Sequence, residues 1–215
     1  MKTYKNLYQR IISIDNLLLA WRKARKRKTK KQYVLEFEKH IVKNILDLYI
    51  ELKNEQYFPR PLKTFVLRDP KTRKISKSDF RDRAIHHAII NILEPIYEKI
   101  FIYDSCASRK GKGNLLAINR FYKFLRKVSK NRKPIRNNFK DKNYIQGFCL
   151  KADIKHYFQE IDHSILLSLI SKKIRDEHAL DLIKKIVANF EMQRERERHN
   201  SERNAFRQFD LTIFC

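Results

Sequence analysis

Apolar residues in the first quarter of the chain recur every three to four positions, which is the spacing of an amphipathic helix. The sequence predicts a first helix over residues 4–25, with apolar positions at Leu7, Ile11, Ile14, Leu18 and Trp21. A second amphipathic stretch predicts a helix over residues 32–53. The string "FPRP" (Phe58–Pro61) then ends the helical pattern, because proline cannot donate a backbone hydrogen bond.

The pattern changes in "KTFVLRDPKTRKIS" (Lys63–Ser76), which predicts a strand, a turn at Asp69-Pro70 and a second strand. A helix follows, for which Ser78 or Asp79 is the expected N-cap. Its buried stripe is predicted to consist of Ala84, Ile85, Ala88, Ile89 and Ile92. Pro95 is expected to kink this helix, after which it restarts. Residues 101–118 then predict a loop that opens onto another helix.

The second half of the chain combines a polar stretch, one apolar run and two helices. Residues 127–144 are polar, basic and aperiodic, so we expect an exposed loop. The run "FCLKADI" (Phe148–Ile154) predicts a buried strand. Asp162 or Ser164 is expected to cap a helix that reaches about Lys173, and Glu177–Phe190 predicts one more. Together these elements predict a mostly helical α+β fold with a small antiparallel hairpin.

Charge changes the picture more than any other property of the composition. The 215 residues include 49 Lys+Arg against 24 Asp+Glu, which gives a formal net charge of +25. Such a surface favours a polyanionic partner, either nucleic acid or an anionic membrane. Basic residues are spread along the whole chain, which favours nucleic acid. The basic run Arg22–Lys31 is either a solvated helix end or a patch for nucleic acid or targeting.

Cysteine usage and hydropathy bear on the compartment. Cys106, Cys149 and Cys215 are odd in number and lack CxxC spacing, which argues against a disulfide scaffold or a zinc site. We find no apolar run of membrane-spanning length and no signal-peptide core at the N-terminus. The sequence therefore predicts a cytoplasmic protein with no membrane partner.

Asp153 is the first candidate for chemistry, because it follows the apolar run of the predicted strand. Hard cations such as Mg²⁺ prefer carboxylate and carbonyl oxygens. The Asp153 carboxylate and the backbone carbonyl of Ile154 are therefore candidate metal ligands. A lone aspartate is also consistent with a helix cap or a solvated surface position, so this pattern alone does not decide.

Two longer strings resemble the reverse transcriptases of bacterial retroelements. "LKADIKHYFQEIDHSIL" is similar to their first palm motif. "DPKTRKISKSDFRDRAIHHAIINILEPIYEKIFIYDSCASRKGKG" is similar to their fingers motifs, in the same order and spacing. The resemblance runs from about Lys63 to about Phe190 and is weaker upstream. The residues of the fingers blocks are most similar to those of the diversity-generating retroelement type. They are also similar to those of group II intron and retron enzymes.

The resemblance implies roles for matching residues in RNA-directed DNA synthesis with Mg²⁺. Asp153 would be the first catalytic metal ligand, and Phe158 would be the gate that excludes ribonucleotides. The hairpin Lys63–Ser76 would close over the triphosphate. The implied nucleotide-phosphate contacts are Arg73 and Lys74 near the hairpin tip and Arg109 in the second fingers block, and a guanidinium suits a phosphate well.

Further residues are candidates for contact with template or primer. Gly111, Lys112 and Gly113 would let backbone and nucleic acid approach closely, although an ordinary loop before a helix also explains them. Of Arg81 and Arg83, one is expected to bind template or nucleotide and the other to pair with Asp82 or Asp104. The histidine pair His86–His87 lacks nearby acidic or cysteine ligands and is expected to pack or to face the template.

The implied architecture is that of a right-hand polymerase with fingers and a partial palm. The expected divisions are a helical extension at 1–62, fingers at 63–146, a partial palm at 147–190 and a tail at 191–215. The implied partners are an RNA template, a DNA primer and deoxynucleoside triphosphates, with an accessory retroelement protein as a further one. The alternative function is a basic helical RNA-binding protein without chemistry.

The family's second palm motif, an aromatic-x-Asp-Asp turn, is missing from the sequence. Codons for Asn204–Cys215 and the preceding arginine, read one base later, permit "GMPFGNLTSQFFA", which resembles the family's next block. Arg194–Arg198 permits an AG dinucleotide run where such a frame change would arise. We therefore expect residues after about 191–198 to be out of frame, or else a genuine charged tail, and the 215-residue chain to lack polymerase activity. A gene in which the AG run switches the full-length enzyme on and off is also consistent with the sequence. The nucleotide sequence decides between these hypotheses.

Overall fold

A computed structural model of the chain describes residues 2–70, 72–129, 131, 149–154, 157 and 161–192. Within these residues helices dominate, and the one sheet has two antiparallel strands. This confirms the mostly helical α+β class. Two compact units are present, one from Met1–Pro95 with Ile161–Cys215 and the other from Ile96–Glu160. The division into fingers and palm stays a prediction.

The N-terminal region forms four helices where the sequence predicted two. Their bounds are Tyr8–Ile12 (α1), Ile14–Arg25 (α2), Gln32–Lys39 (α3) and Ile41–Lys53 (α4). The first break occurs because the Ser13 hydroxyl caps α2 by accepting from the Asn16 backbone N–H at 3.4 Å. At the second break, near His40, the Asn44 side-chain amide donates to the Phe37 carbonyl at 2.8 Å. Local side-chain hydrogen bonds thus divide both predicted helices.

The predicted hairpin is formed by strands Lys63–Arg68 (β1) and Thr72–Lys77 (β2). The strands are antiparallel, and Lys63 lies opposite Lys77. Every residue of β1 is exposed, while the last residues of β2 are half-buried. The hairpin therefore projects from the unit and is anchored where β2 leads into the next helix.

Helix α5 covers Phe80–Tyr97, and its residues up to Pro95 belong to the first unit. The predicted cap is present, since Asp79 Oδ1 accepts from the Arg81 backbone N–H at 3.0 Å. Ala84, Ile85, Ala88 and Ile89 are buried as predicted, whereas Ile92 is half-buried. The helix continues through Pro95 and does not stop there.

The segment after residue 161 packs on the N-terminus. It contains helix His163–Ser171 (α7) and the helical residues 177–192 (α8). Asp162 caps α7 as expected, accepting from the backbone N–H groups of Ser164 and Ile165. Asp176 accepts from the Leu7 and Tyr8 backbone N–H groups at 2.6 and 2.8 Å. The first and last described segments of this unit are therefore held together by a buried carboxylate.

In the second unit, helix α6 covers Asn114–Val128 and has no buried residue. Residues 149–154 have no regular secondary structure, so the predicted strand at Phe148–Ile154 is wrong over these residues. A strand is stable only when a neighbour takes up its backbone hydrogen bonds, and the described residues provide no such neighbour. Leu150 is 92% exposed and Ile154 67% exposed, so the apolar run is not buried.

Some predictions fall on residues that the structure does not describe. These are the steric gate Phe158, most of the loop predicted at 127–144, Gly147, Phe148 and the tail from residue 193. In the described part of the chain, every helix is too short or too polar to traverse a lipid bilayer.

Candidate nucleic-acid interface

Arg73 and Lys74 lie on β2 and are both exposed. Arg73 is opposite Leu67 and Lys74 is opposite Val66 in the antiparallel register. Successive side chains of a strand project to opposite faces of the sheet, so these two cations do not share a face. Arg73 instead shares its face with Lys77 at the end of the strand.

Arg81, at the start of α5, uses its charge inside the fold. It forms a salt bridge with Glu51 on α4 and lies 3.8 Å from Asp82. Its side chain is 13% exposed, and burial lowers the pKa of the guanidinium although Asp82 and Asp47 oppose this. Of Arg81 and Arg83, Arg81 is therefore the ion-paired arginine. Contact of the other with template or nucleotide stays a prediction.

Asp82 is fully buried and connects α5 to the segment before the hairpin. Its carboxylate accepts from the Tyr57 hydroxyl and from the Arg60 backbone N–H, both at 2.9 Å. Burial and the adjacent Asp82 carboxylate raise the pKa of Tyr57. This network fixes the start of α5, and with it the position of Arg83 one residue later.

Arg83 projects between aromatic rings and is not ion-paired with any described carboxylate. Its Cζ lies 4.8 Å from the centre of the Tyr33 ring and 5.3 Å from that of Phe80. Its Nε and Nη2 groups are shielded from solvent and have no hydrogen-bond partner among the described residues. Arg83 thus retains donor capacity that Arg81 does not.

The histidines that follow on α5 are partly buried. Burial lowers the pKa of His86, assisted by His87 and Arg83 and opposed by Asp82. Burial also lowers the pKa of His87, assisted by Lys28, Lys23 and Arg83. Both imidazoles are accordingly neutral near pH 7, which suits packing better than phosphate binding.

Arg109 is engaged by its own loop in the second unit. Its Nε and Nη2 groups bind the Glu98 carboxylate at 2.5–3.0 Å and Nη2 also reaches the Glu98 carbonyl. Its Nη1 group donates to the carbonyls of Ile102 and Ser105 at 2.8 and 2.9 Å. All five N–H groups are used, so a nucleotide phosphate would have to displace Glu98. Phosphate contact by Arg109 stays a prediction.

The turn before α6 has the open backbone expected of a close-approach site. Gly111 has φ of 71° and Gly113 of 139°, values that favour glycine. A Cβ at either position would meet no atom of the described residues within 4 Å, so these residues leave space beside the turn. Lys112 lies beside it, with its ammonium 2.6 Å from the Tyr103 carbonyl. The glycines are required by backbone conformation and leave room for a ligand.

One basic surface was missed by the sequence reasoning. A cavity of about 650 Å³ lies along α6. Its described lining contains cations, amides and one tyrosine and no carboxylate, and consists of Asn119, Tyr122, Lys123, Arg126, Lys127 and Asn131. The helical members are spaced three, four, seven and eight residues apart, which places them on one face. That spacing was the signal available in the sequence.

Asp153 is exposed on the irregular segment 149–154. Across the described residues, we find no cluster of three or more histidine, cysteine, aspartate or glutamate side chains that could hold a metal. One exposed carboxylate and the adjacent Ile154 carbonyl do not make a magnesium site. The described residues therefore do not fit Mg²⁺ by themselves.

Comparison with known proteins gives distant relatives. Over 154 residues the chain is 28% identical to the group II intron-encoded protein LtrA of Lactococcus lactis subsp. cremoris, a match that covers 70% of this chain and 22% of that protein. Over 116 residues it is 27% identical to the mitochondrial nuclear intron maturase 1 of Arabidopsis thaliana, covering 53% of this chain and 14% of that protein. No family model matches the sequence. The chain spans about a fifth of the length of LtrA, and the similarity supports distant homology to the reverse transcriptase and maturase family.

Proposed function

We propose that the chain is the fingers region and the beginning of the palm of an RNA-directed DNA polymerase. The observation that carries this proposal is the ordered series of sequence blocks between Lys63 and Phe190. Distant homology to an intron-encoded protein and a maturase supports the same family. The narrower assignment to a diversity-generating retroelement rests on the residues of the fingers motifs.

The proposed ligands are an RNA template, a DNA primer and deoxynucleoside triphosphates. The net charge of +25 supports a polyanionic ligand. Arg73 and Lys74 are proposed to contact the nucleotide, and the open turn Gly111–Gly113 to approach the template. Asp153 is proposed as one metal ligand on the resemblance alone, and two-metal nucleotidyl transfer also needs the carboxylates of an aromatic-x-Asp-Asp motif, which does not occur in these 215 residues. The 215-residue chain is accordingly proposed to bind nucleic acid without extending a primer.

A non-catalytic RNA-binding protein is the second candidate. The observation that favours it is the basic cavity along α6, whose described lining has no carboxylate and needs no metal to bind RNA. Tyrosine beside lysine and arginine is a combination that holds single-stranded nucleic acid by stacking and charge. Both candidates predict RNA binding, so affinity alone does not separate them.

The test uses an RNA template annealed to a DNA primer, with binding followed by fluorescence anisotropy at several salt concentrations. We expect binding that weakens steeply with salt and an unchanged affinity in the variant Asp153→Ala. Primer extension with Mg²⁺ and deoxynucleotides is measured in parallel and is expected to be absent. Binding that ignores salt would refute the nucleic-acid interface, and Asp153-dependent extension would refute the proposed inactivity.

A further inference from the structure

Arg83 stands out because two of its charged donors have no acceptor. Nε and Nη2 are buried and make no hydrogen bond among the described residues. The rings of Tyr33 and Phe80 attract the guanidinium as a cation, and the Tyr33 hydroxyl interacts with the guanidinium by hydrogen bonding, but Nε and Nη2 have no described carboxylate or carbonyl acceptor. A buried donor left unpaired costs free energy, more so when it is charged. The arrangement is therefore incomplete unless an acceptor enters.

Lys77 lies over the ring of the same tyrosine, and Lys28 acts on this tyrosine through its charge. The Lys77 ammonium is 3.8 Å from the centre of the Tyr33 ring. Burial tends to raise the pKa of Tyr33, but interaction with Arg83 and the charges of Lys77 and Lys28 lower it, and the net direction is downward. The cations come from the end of β2, from α5 and from the connection between α2 and α3. Three elements thus bring positive charge to one place.

Carboxylates lie near these cations, since the cavity lined by Tyr33 and Phe80 also contains Glu36, Asp47, Glu51 and Asp79, but none of these described carboxylates is ion-paired with Arg83. Within the described part of the chain, Gln32 donates to Glu36, Arg25 pairs with Glu38, Arg60 with Asp79, and Tyr57 donates to Asp82. The ring of Phe37 packs edge-on against the ring of Phe80, with the two ring centres 5.2 Å apart. This contact helps to hold the Phe80 ring in place beside Arg83. The donors of Arg83 are therefore fixed in place and face no carboxylate acceptor.

We propose that Arg83, Lys77 and Lys28 form a binding site for a phosphate group. A planar guanidinium binds two phosphate oxygens at once, and the ammonium groups add point charges. The shared chemistry is a phosphate from either a nucleic-acid backbone or a nucleotide, and the backbone source rests on the proposed function. Lys77 shares its hairpin face with Arg73, so a bound strand could continue along that face.

The first experiment uses inorganic pyrophosphate as the probe, with the full chain in EDTA and without RNA. Calorimetry is expected to show binding by the parent chain and by the control Arg10→Gln, which removes an exposed arginine from the same unit. Arg83→Gln is expected to bind at least about tenfold more weakly, and Arg83→Lys to lie between. Because neither RNA nor metal is present, this result does not depend on whether the chain belongs to a polymerase.

The second experiment separates the two sources of phosphate. A single-stranded RNA and a deoxynucleoside triphosphate are titrated separately into the parent chain and into Arg83→Gln. If Arg83→Gln loses affinity for RNA alone, the bound phosphate belongs to a nucleic-acid backbone. If it loses affinity for the triphosphate alone, the bound phosphate belongs to a nucleotide. Pyrophosphate affinity that is equal in Arg83→Gln and Arg10→Gln, or absent in the parent, overturns the site.

A folding control keeps the proposal testable. Circular dichroism compares each variant with the parent. If Arg83→Gln does not fold, the double variant Lys28→Ala/Lys77→Ala replaces it, since both lysines are only half-buried. That variant is expected to lose pyrophosphate binding to a similar degree, and parent-like binding overturns the site.

Discussion

Asp82 is the residue on which the geometry of the α5 start depends. It is fully buried and accepts hydrogen bonds from the Tyr57 hydroxyl and the Arg60 backbone. A buried carboxylate is tolerated only when its oxygens have donors. The position of Arg81 and Arg83 on either side of it therefore depends on a contact with a tyrosine 25 residues earlier.

Tyr57→Phe tests this network. The change removes one donor from a buried charge, so we expect the free energy of unfolding to fall by about 1.5–3 kcal/mol. Urea unfolding provides the measurement. The matched control is Tyr49→Phe, which removes a hydroxyl from the half-buried Tyr49 on α4. Equal losses in the two variants would mean that the Asp82 hydrogen bond carries no special weight.

His86 gives the fold a predictable response to acid. Burial lowers the pKa of His86 from its ordinary 6.5, so the unfolded chain takes up the proton first as the pH falls. The free energy of unfolding should therefore be constant above about pH 6.5 and decline as the pH falls from there toward the folded-state pKa. Denaturant unfolding between pH 8 and 5 measures this.

The variant His86→Leu should make that decline shallower, because it removes one of the two histidines whose pKa is lowered by burial, while His87 still contributes. Replacement of the exposed His40 by Gln serves as the control and should leave the decline in place. A pH profile that is the same in His86→Leu and in the parent chain would assign the acid sensitivity to other groups.

Sequence reasoning identified Arg81 and Arg83 together but did not say which one was paired. The distinction depends on Glu51, which reaches Arg81 from another helix 30 residues away. The internal role of Arg109 was missed for a related reason. Its acceptors include backbone carbonyls, which every sequence position possesses and no pattern reveals.

Among the elements, the hairpin carries the most specific expectation. Its antiparallel register puts Arg73 and Lys77 on one face and Lys74 on the other. A nucleic-acid strand that reaches Lys77 would therefore pass Arg73 and not Lys74. Arg73 and Lys74 are adjacent and equal in charge, so substitutions at these two positions provide a matched pair of variants.

Arg73→Ala and Lys74→Ala each remove one positive charge from the same strand. We expect Arg73→Ala to weaken binding of a single-stranded RNA and to reduce the salt slope by about one, while Lys74→Ala changes both little. Fluorescence anisotropy against salt concentration measures both quantities. If Lys74→Ala has the larger effect, the strand lies on the other face of the hairpin.

Element type was predicted better than element bounds. Helical periodicity and the Asp-Pro turn were sufficient for the hairpin and α5, because these depend on local spacing. The breaks at Ser13 and His40 depend on individual side-chain hydrogen bonds that periodicity does not register. The predicted strand before Asp153 was wrong because an apolar run becomes a strand only beside a partner strand.

For the whole molecule, charge and family resemblance lead to the same expectation. A net charge of +25 on 215 residues favours a phosphate-rich ligand, but it does not say where that ligand lies. A basic protein without specific function would bind RNA wherever lysine and arginine are dense, above all along Arg22–Lys31. A polymerase fingers region would bind it at the hairpin, at α5 and at the glycine turn.

Photocrosslinking separates these possibilities in one measurement. An RNA template that carries 4-thiouridine is annealed to a DNA primer, bound to the full chain and irradiated, and the crosslinked peptides are identified by mass spectrometry. We expect crosslinks within residues 63–83 and 109–113. Crosslinks confined to residues 22–31 and 119–127 would show that the chain binds RNA as a basic protein and not as polymerase fingers.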